Sequence, residues 1–277
     1  MRNTLLCYAN SFPQSYLCTV IKLYPNMERY NRNRIYVSED EQEKVRETRI
    51  LLGGAGIGSI IAECALRFGF ENIVIVDGDR VELSNLNRQN YVKSDIGKSK
   101  AECLAKRLLR INPKANIQYH DTFIDKGNVK ELLEGVDIAI NALDFKSDIP
   151  FVFDDLCSKR RIPVLHPYNF GWGAFLTIIK PGGYQLTEVS PSYKGFEVKM
   201  ADFVARYCTF WNMPNRWLDD VIEAYRNEPG ELPPPQLSVA SWIVAGECVN
   251  AMFDIITGKE VKYFPKFYFS SLRCDPA

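Results

Sequence analysis

Several features that would announce a function are missing from this 277-residue chain. It has no net charge, with 34 acidic and 34 basic side chains. That argues against a whole-chain affinity for nucleic acid or an anionic membrane, so any phosphate chemistry must come from a local cluster. It has only two histidines, His120 and His166. None of its eight cysteines (Cys7, Cys18, Cys64, Cys103, Cys157, Cys208, Cys248 and Cys274) forms a CxxC pair. Without short-spaced ligand pairs no structural zinc is expected, and the scattered thiols read as reduced, mostly buried groups of a cytoplasmic protein. No apolar run is expected to span a membrane; the longest, Val239 to Ile256, is interrupted by Glu247 and Asn250. The opening stretch MRNTLLCYANSFPQSYLCTVIKLY has no sustained apolar core before a small-residue cleavage site and is not read as a signal peptide. The GxxxxGK[ST] pattern is absent, which excludes a Walker ATPase. There is no internal repeat and no low-complexity tract beyond Pro233, Pro234 and Pro235.

What is present is an ordinary globular composition, 46% apolar and 25% charged, on a chain long enough to bury a large core without disulfides. SEDE (38–41) has the form of a capping box and starts a charged helix through Arg46. From there short β-branched runs alternate with amphipathic ones. Strands are expected at 49–54, 72–77, 115–120, 137–143 and 163–168, with helices at 59–70, 98–112, 129–133 and 149–161. Gly69 sits where a C-cap would, and Pro113 ends a helix. Such alternation predicts an α/β fold, a Rossmann-like, mostly parallel sheet with helices on both faces. Beyond it come a strand at 173–183, an irregular stretch at 184–235, a long helix at 238–257 and an aromatic strand at 262–271, antiparallel additions to the same sheet. The expected organisation is an N-terminal extension and helix (1–47), a nucleotide-binding core (48–183) and a segment (184–277) that completes the same domain.

GGAGIGS (53–59) joins the first strand of the core to its first helix. Glycines permit a tight turn and close approach of a phosphate, and the helix N-terminus supplies unpaired N–H groups. Asp77 ends the next strand, where a dinucleotide fold places a ribose-binding carboxylate. Strict GxGxxG is not met, since Ala55 or Ser59 replaces a glycine in either register; NAD is the default ligand of such a turn, and the alternative is a turn that only packs helix on strand. The segment DGDRVELSNLNRQ (77–89) then brings a second carboxylate, Asp79, and the dense set Ser84, Asn85, Arg88 and Gln89. Lys98 and Lys100 open a helix, and Asp144 ends a strand at the same sheet edge as Asp77. A planar guanidinium, an ammonium, a carboxylate able to hold magnesium and a ribose carboxylate together describe a nucleoside triphosphate site better than a dinucleotide site. Taken singly, Asp79 is also a plausible turn cap, and Arg88 and Lys100 plausible solvated charges. No histidine base is evident. A carboxylate attacking the α-phosphate of ATP needs none, being already ionised near neutral pH.

These motifs, together with RYNR (29–32) and GKSKAE (97–102), resemble the ThiF/MoeB/HesA adenylyltransferases, relatives of ubiquitin-activating enzymes, from about Arg29 to Gly183 and less closely through the helix at 238–257. The resemblance implies an enzyme that binds ATP and magnesium and adenylates the C-terminal glycine of a small ubiquitin-like sulfur-carrier protein ending in Gly-Gly. It implies that Gly54, Ala55 and Gly56 face the nucleotide, with Gly56 against the phosphates. Asp77 would hold the ribose, with Asp79 beside it. Asn85, Arg88 and Gln89 would line the phosphates, and Arg88 and Lys100 would compensate their charge. Asp144 would be the magnesium and catalytic aspartate. Arg32 would act in trans as an arginine finger, in a homodimer; on the residues alone it is equally a surface charge. Two departures stand out: Phe145 occupies a position where the family often has Asn, and the family's paired CxxC motifs are absent. Cys208 falls where some relatives carry an acyl-accepting cysteine, although free cysteines are usually buried and inert. Trp211, Trp217 and the aromatic strand read as core or dimer interface. The competing expectations are adenylation of another acceptor (a peptide precursor or a modified tRNA base), an NAD-dependent oxidoreductase, and a non-catalytic scaffold. A nucleic-acid partner is not favoured by the balanced charge.

Overall fold

The computed structural model describes residues 27–213, 215–230 and 232–273; the expectations for Cys7, Cys18, Cys274 and the opening stretch lie outside them. The described residues divide into two compact units between Gln42 and Glu43. The first holds a helical turn, α1 (Met27–Tyr30), a 3-10 turn (Asn31–Asn33) that carries Arg32, and the start of α2 (Glu39–Glu47). The expected capping box is formed: the Ser38 N–H donates to Glu41 Oε2 at 2.9 Å, and the Glu41 N–H donates to Ser38 Oγ at 3.3 Å.

The second unit is built on one seven-stranded sheet of order β3-β2-β1-β4-β5-β6-β7. Its strands are β1 (Arg49–Gly53), β2 (Asn72–Val76), β3 (Asn116–His120), β4 (Ile138–Asn141), β5 (Val164–Asn169), β6 (Gly173–Ile179) and β7 (Phe267–Ser271). The first five are parallel, with Leu51 opposite both Val74 and Ala139, and β6 and β7 pair antiparallel. Crossovers explain the parallel part: α3 (Gly58–Phe68), α4 (Lys100–Ile111), the short α5 (Val129–Leu132) and α6 (Ile149–Lys159) each return the chain before the next strand. Strands β1, β4, β5 and β6 are almost wholly buried, as a sheet covered on both faces requires, whereas edge strand β3 is largely exposed.

One correction concerns 184–235, expected to be irregular. It contains α7 (Phe196–Phe210) and α8 (Arg216–Arg226). Helix α7 buries Phe196, Met200, Ala201, Val204, Ala205 and Cys208 in the same apolar cluster as Leu51, Ala139, Phe153 and Phe175. The long helix, α9 (Ser238–Ile256), packs against β5, β6 and α3. By length and composition it is apolar enough to cross a membrane, contrary to the expectation that no run would be. Half of that window is buried within the protein, which is how the core helix of a large sheet also behaves.

Candidate nucleotide site

The order of strands reverses between β1 and β4, because β1 runs outward to β2 and β3 while β4 leads to β5. In an open parallel sheet that reversal leaves a crevice at the carboxyl ends of the strands. The glycine turn, Asp77 and the chain leading to Asp144 all lie there, after β1, β2 and β4.

The turn is constrained by its neighbours. Gly54 has φ +99°, and a Cβ on it would lie 2.4 Å from the carbonyl oxygen of Ala142, so the turn and the segment after β4 touch backbone to backbone. A Cβ on Gly56 would lie 3.3 Å from Nε2 of Gln89. The same Gln89 has a buried Oε1 with no hydrogen-bond partner among the described residues. An orphaned amide oxygen beside a glycine turn marks a place where a ligand donor or water is expected. Asp77 is buried, and its carboxylate accepts the Ala55 N–H at 2.6 Å and the Asp79 N–H at 2.7 Å. Burial still raises its pKa, the two N–H bonds and the Lys100 charge opposing it. Each oxygen keeps acceptor capacity for a ligand hydroxyl.

The polar cluster is held from beneath. Ser59 Oγ donates to the Gly56 carbonyl at 2.7 Å and accepts the Asn90 N–H at 2.9 Å. Asn90 Nδ2 donates to Glu63, which also binds Arg67 and Arg107. Burial alone would push Glu63 up, but the bonds from Arg107, Arg67 and Asn90 outweigh it and hold the carboxyl below its ordinary value. Asn85 is buried and accepts the Glu82 N–H at 3.0 Å, fixing the 3-10 turn before Arg88. Tyr91 donates to the Ala55 carbonyl at 2.8 Å, and burial pushes its phenol far above the ordinary range, so it remains a neutral donor.

The charged groups fall into two sets. Lys100 is buried, and its ammonium meets Asp79 Oδ2 at 2.9 Å, so these two sit together and partly satisfy one another. Arg88, by contrast, is bonded among the described residues only to neutral acceptors: Gln236 Oε1, the Ser84 carbonyl at 2.8 Å and Asn87 Oδ1 at 2.8 Å. Burial lowers its pKa and the nearby Asp144 charge raises it again. Asp144 itself is exposed and paired with the exposed Lys146 at 2.8 Å, a pair easily surrendered to a cation. Among the described residues no cluster of three or more acidic, His or Cys side chains is placed to hold a metal. A magnesium here would take one protein carboxylate, Asp144, and complete its shell with phosphate oxygens and water.

Arg32 lies in the other unit, exposed on its 3-10 turn. Phe145 is no surface residue: it stacks on Phe196 at 4.4 Å and packs on Phe151 at 5.5 Å, so this position serves the core. Cys208 is buried, and burial raises its thiol pKa, neither of which suits an acyl acceptor. Trp217 stacks on Phe269 at 6.3 Å, whereas Trp211 is more than half exposed and is not core. The residues reached only through the structure are Gln236, Lys146 and the Glu63 network. No local pattern marks Gln236, which lies 148 positions from Arg88.

A glycine turn at the switch point of a mostly parallel sheet, with a guanidinium held by neutral acceptors nearby, is the arrangement of a Rossmann-like fold. The ThiF family profile matches residues 30–273, and the chain belongs to the ThiF family. It is 30% identical to the SAMP-activating enzyme E1 of Haloferax volcanii over 57% of this chain and 59% of that protein. It is 35% identical to a probable molybdopterin-synthase adenylyltransferase of Porphyra purpurea, over 53% of this chain and 39% of that one. The chain thus matches from about a quarter to under two thirds of the length of such curated relatives. Among solved structures it superposes on PaaA with a TM-score of 0.67 at 19% identity, covering 94% of this chain and 88% of that one. E. coli MccB with ATP gives 0.64 at 16% identity, over 96% and 81%. At these identities the likeness is one of fold.

Proposed function

We propose that this protein is an ATP-dependent adenylyltransferase that activates the C-terminal carboxylate of a small ubiquitin-like sulfur-carrier protein. The observation that carries it is Arg88. It is half-buried, oriented by three neutral acceptors and close to Asp144, so its charge is kept for an anion. Hydride transfer to a nicotinamide has no use for such an arrangement, whereas a triphosphate does.

In this reading the backbone of Gly54 to Gly56 lets the phosphates approach, Asp77 receives the ribose hydroxyls with Asp79 beside it, and Asn85 and Gln89 line the phosphates. Arg88 screens the repulsion between the incoming carboxylate and the triphosphate, and Lys100 adds a second positive charge behind Asp79. Asp144 would hold a magnesium, which when bound would supply neutralisation of phosphate charge. The acceptor carboxylate oxygen bonds to the α-phosphorus as the bond to the bridging oxygen of pyrophosphate breaks. No proton moves, so no base is required. Arg32 reaches the site of a second copy, making the active form a homodimer in the cytoplasm.

The test is pyrophosphate exchange. With a ubiquitin-like protein ending in Gly-Gly, the chain should exchange labelled pyrophosphate into ATP, and Asp144→Ala should reduce the exchange at least about a hundredfold. The same assay with a peptide ending in a free carboxylate, and with tRNA, distinguishes the other acceptors. Calorimetry showing binding of NAD in preference to ATP with magnesium would overturn the reading.

A further inference from the structure

Arg88 is aimed by a residue from the other end of the chain. Its Nε donates to Gln236 Oε1, while Nη1 serves the Ser84 carbonyl and Asn87 Oδ1. Gln236 is in turn tied down. Its carbonyl accepts from Asn87 Nδ2 at 3.3 Å. The next residue, Leu237, offers its carbonyl to Asn169 Nδ2 at 2.7 Å and its N–H to Asn169 Oδ1 at 3.3 Å. Asn169 is buried at the end of β5 and also bonds Ser241 Oγ in α9 at 2.9 Å. Upstream, Pro233 to Pro235 have fixed φ, and the Tyr225 hydroxyl holds the Leu232 carbonyl at 2.8 Å. Residues 232–237 are therefore a stiff strap, anchored to α8 at one end and to β5 and α9 at the other. Gln236 is its link to the phosphate-binding arginine.

We propose that Gln236 is the positioning residue for Arg88, and that its being an amide is the essential point. A neutral acceptor orients a guanidinium and leaves its charge for the phosphates; a carboxylate in the same place would form a charge-assisted pair and compete with them. The shared hydrogen bond also couples strap and nucleotide: an ordered strap presents Arg88, and by reciprocity a bound triphosphate steadies the strap. The inference rests on the adenylyltransferase reading and extends it to a residue outside the nucleotide motifs.

The experiment compares the unaltered full chain, Gln236→Glu and Gln236→Leu for binding of ATP with magnesium, and of adenosine, by calorimetry, after the thermal midpoint of each has been measured. Gln236→Glu should weaken ATP by about tenfold or more, Gln236→Leu by a few-fold, and neither should change adenosine affinity, because the nucleoside has no phosphate for Arg88 to meet. A purely structural role would weaken ATP and adenosine alike, and that result overturns the proposal. Equal ATP affinity for Gln236→Glu and the unaltered chain overturns it too, while leaving ATP binding standing. If the unaltered chain does not bind ATP, the functional reading and this proposal fall together. Should Gln236→Glu not fold, Gln236→Leu decides through the same split between ATP and adenosine.

Discussion

Two glycines of the same turn are held for different reasons, and substitution separates them. At Gly54 an added methyl meets backbone, the Ala142 carbonyl at 2.4 Å, and φ is +99°. Neither feature can relax without moving β1 away from the segment after β4. Gly54→Ala is expected to cost at least ~2 kcal/mol of folding stability, read as a lower urea midpoint at unchanged slope. At Gly56 the methyl meets only the end of the flexible Gln89 side chain at 3.3 Å. Gly56→Ala should fold with a midpoint within ~0.5 kcal/mol of the parent and lose ATP affinity, because the methyl thickens the backbone where a phosphate would approach the turn and crowds the Gln89 amide nitrogen. Equal losses of stability in the two variants would contradict this division. Residues of this kind were legible in the sequence, since glycines between a strand and a helix, and carboxylates at strand ends, are local patterns. Gln236 was not, because its role depends on a partner brought near only by the folding of the intervening chain.

At the scale of elements, the alternating region was readable because strand and helix periodicities differ and Gly69 and Pro113 punctuate them. The segment holding α7 and α8 was not. Helix α7 starts from Gly195 in a left-handed conformation with no side-chain cap, and α8 follows Asn215 without a capping bond. Their apolar periodicity is present, but Gly195 is a weak start signal and Asn215 stands in a run of turn residues, Asn212 to Asn215, that reads as a loop. Helix α9 carries a feature its apolar sequence does not explain. Both carboxylate oxygens of Glu247 are buried and, among the described residues, meet no hydrogen-bond donor in good geometry, the Ser270 hydroxyl being only nearby. Burial raises its pKa, and the nearby Ser270 hydroxyl only partly opposes this. The sign follows from linkage. The folded state binds the Glu247 proton more tightly than the unfolded chain, so this group favours folding below its ordinary pKa and costs stability as pH rises through the raised value. Glu247→Met removes the penalty. It should raise the thermal midpoint at pH 8 more than at pH 4, and flatten the pH dependence between them; an equal shift at both values would mean that the carboxylate is satisfied in the fold.

For the whole molecule, the decisive question is whether one chain makes a complete site. Arg32 belongs to a unit separate from the one that carries Asp77, Arg88 and Asp144, and its proposed place is the site of a second copy. That arrangement has an arithmetic consequence. Arg32→Ala and Asp144→Ala should each be nearly inactive alone in pyrophosphate exchange. Co-refolded in equal amounts, they give a population half of which is mixed dimers. In a mixed dimer one site combines the intact Asp144 of one chain with the intact Arg32 of the other, and the second site lacks both. One site in two on half of the dimers restores about a quarter of the unaltered activity. If Arg32 instead served its own chain, every site in the mixture would lack one residue or the other, and no activity would return. Recovery must also fall on dilution below the dimer dissociation constant, since a site shared between chains is lost with the dimer. Recovery near one quarter that disappears on dilution, with sedimentation showing a dimer only above that concentration, would establish the shared site. A sum no greater than the two separate variants would exclude a site shared between chains, and only full activity of Arg32→Ala alone would remove Arg32 from the mechanism.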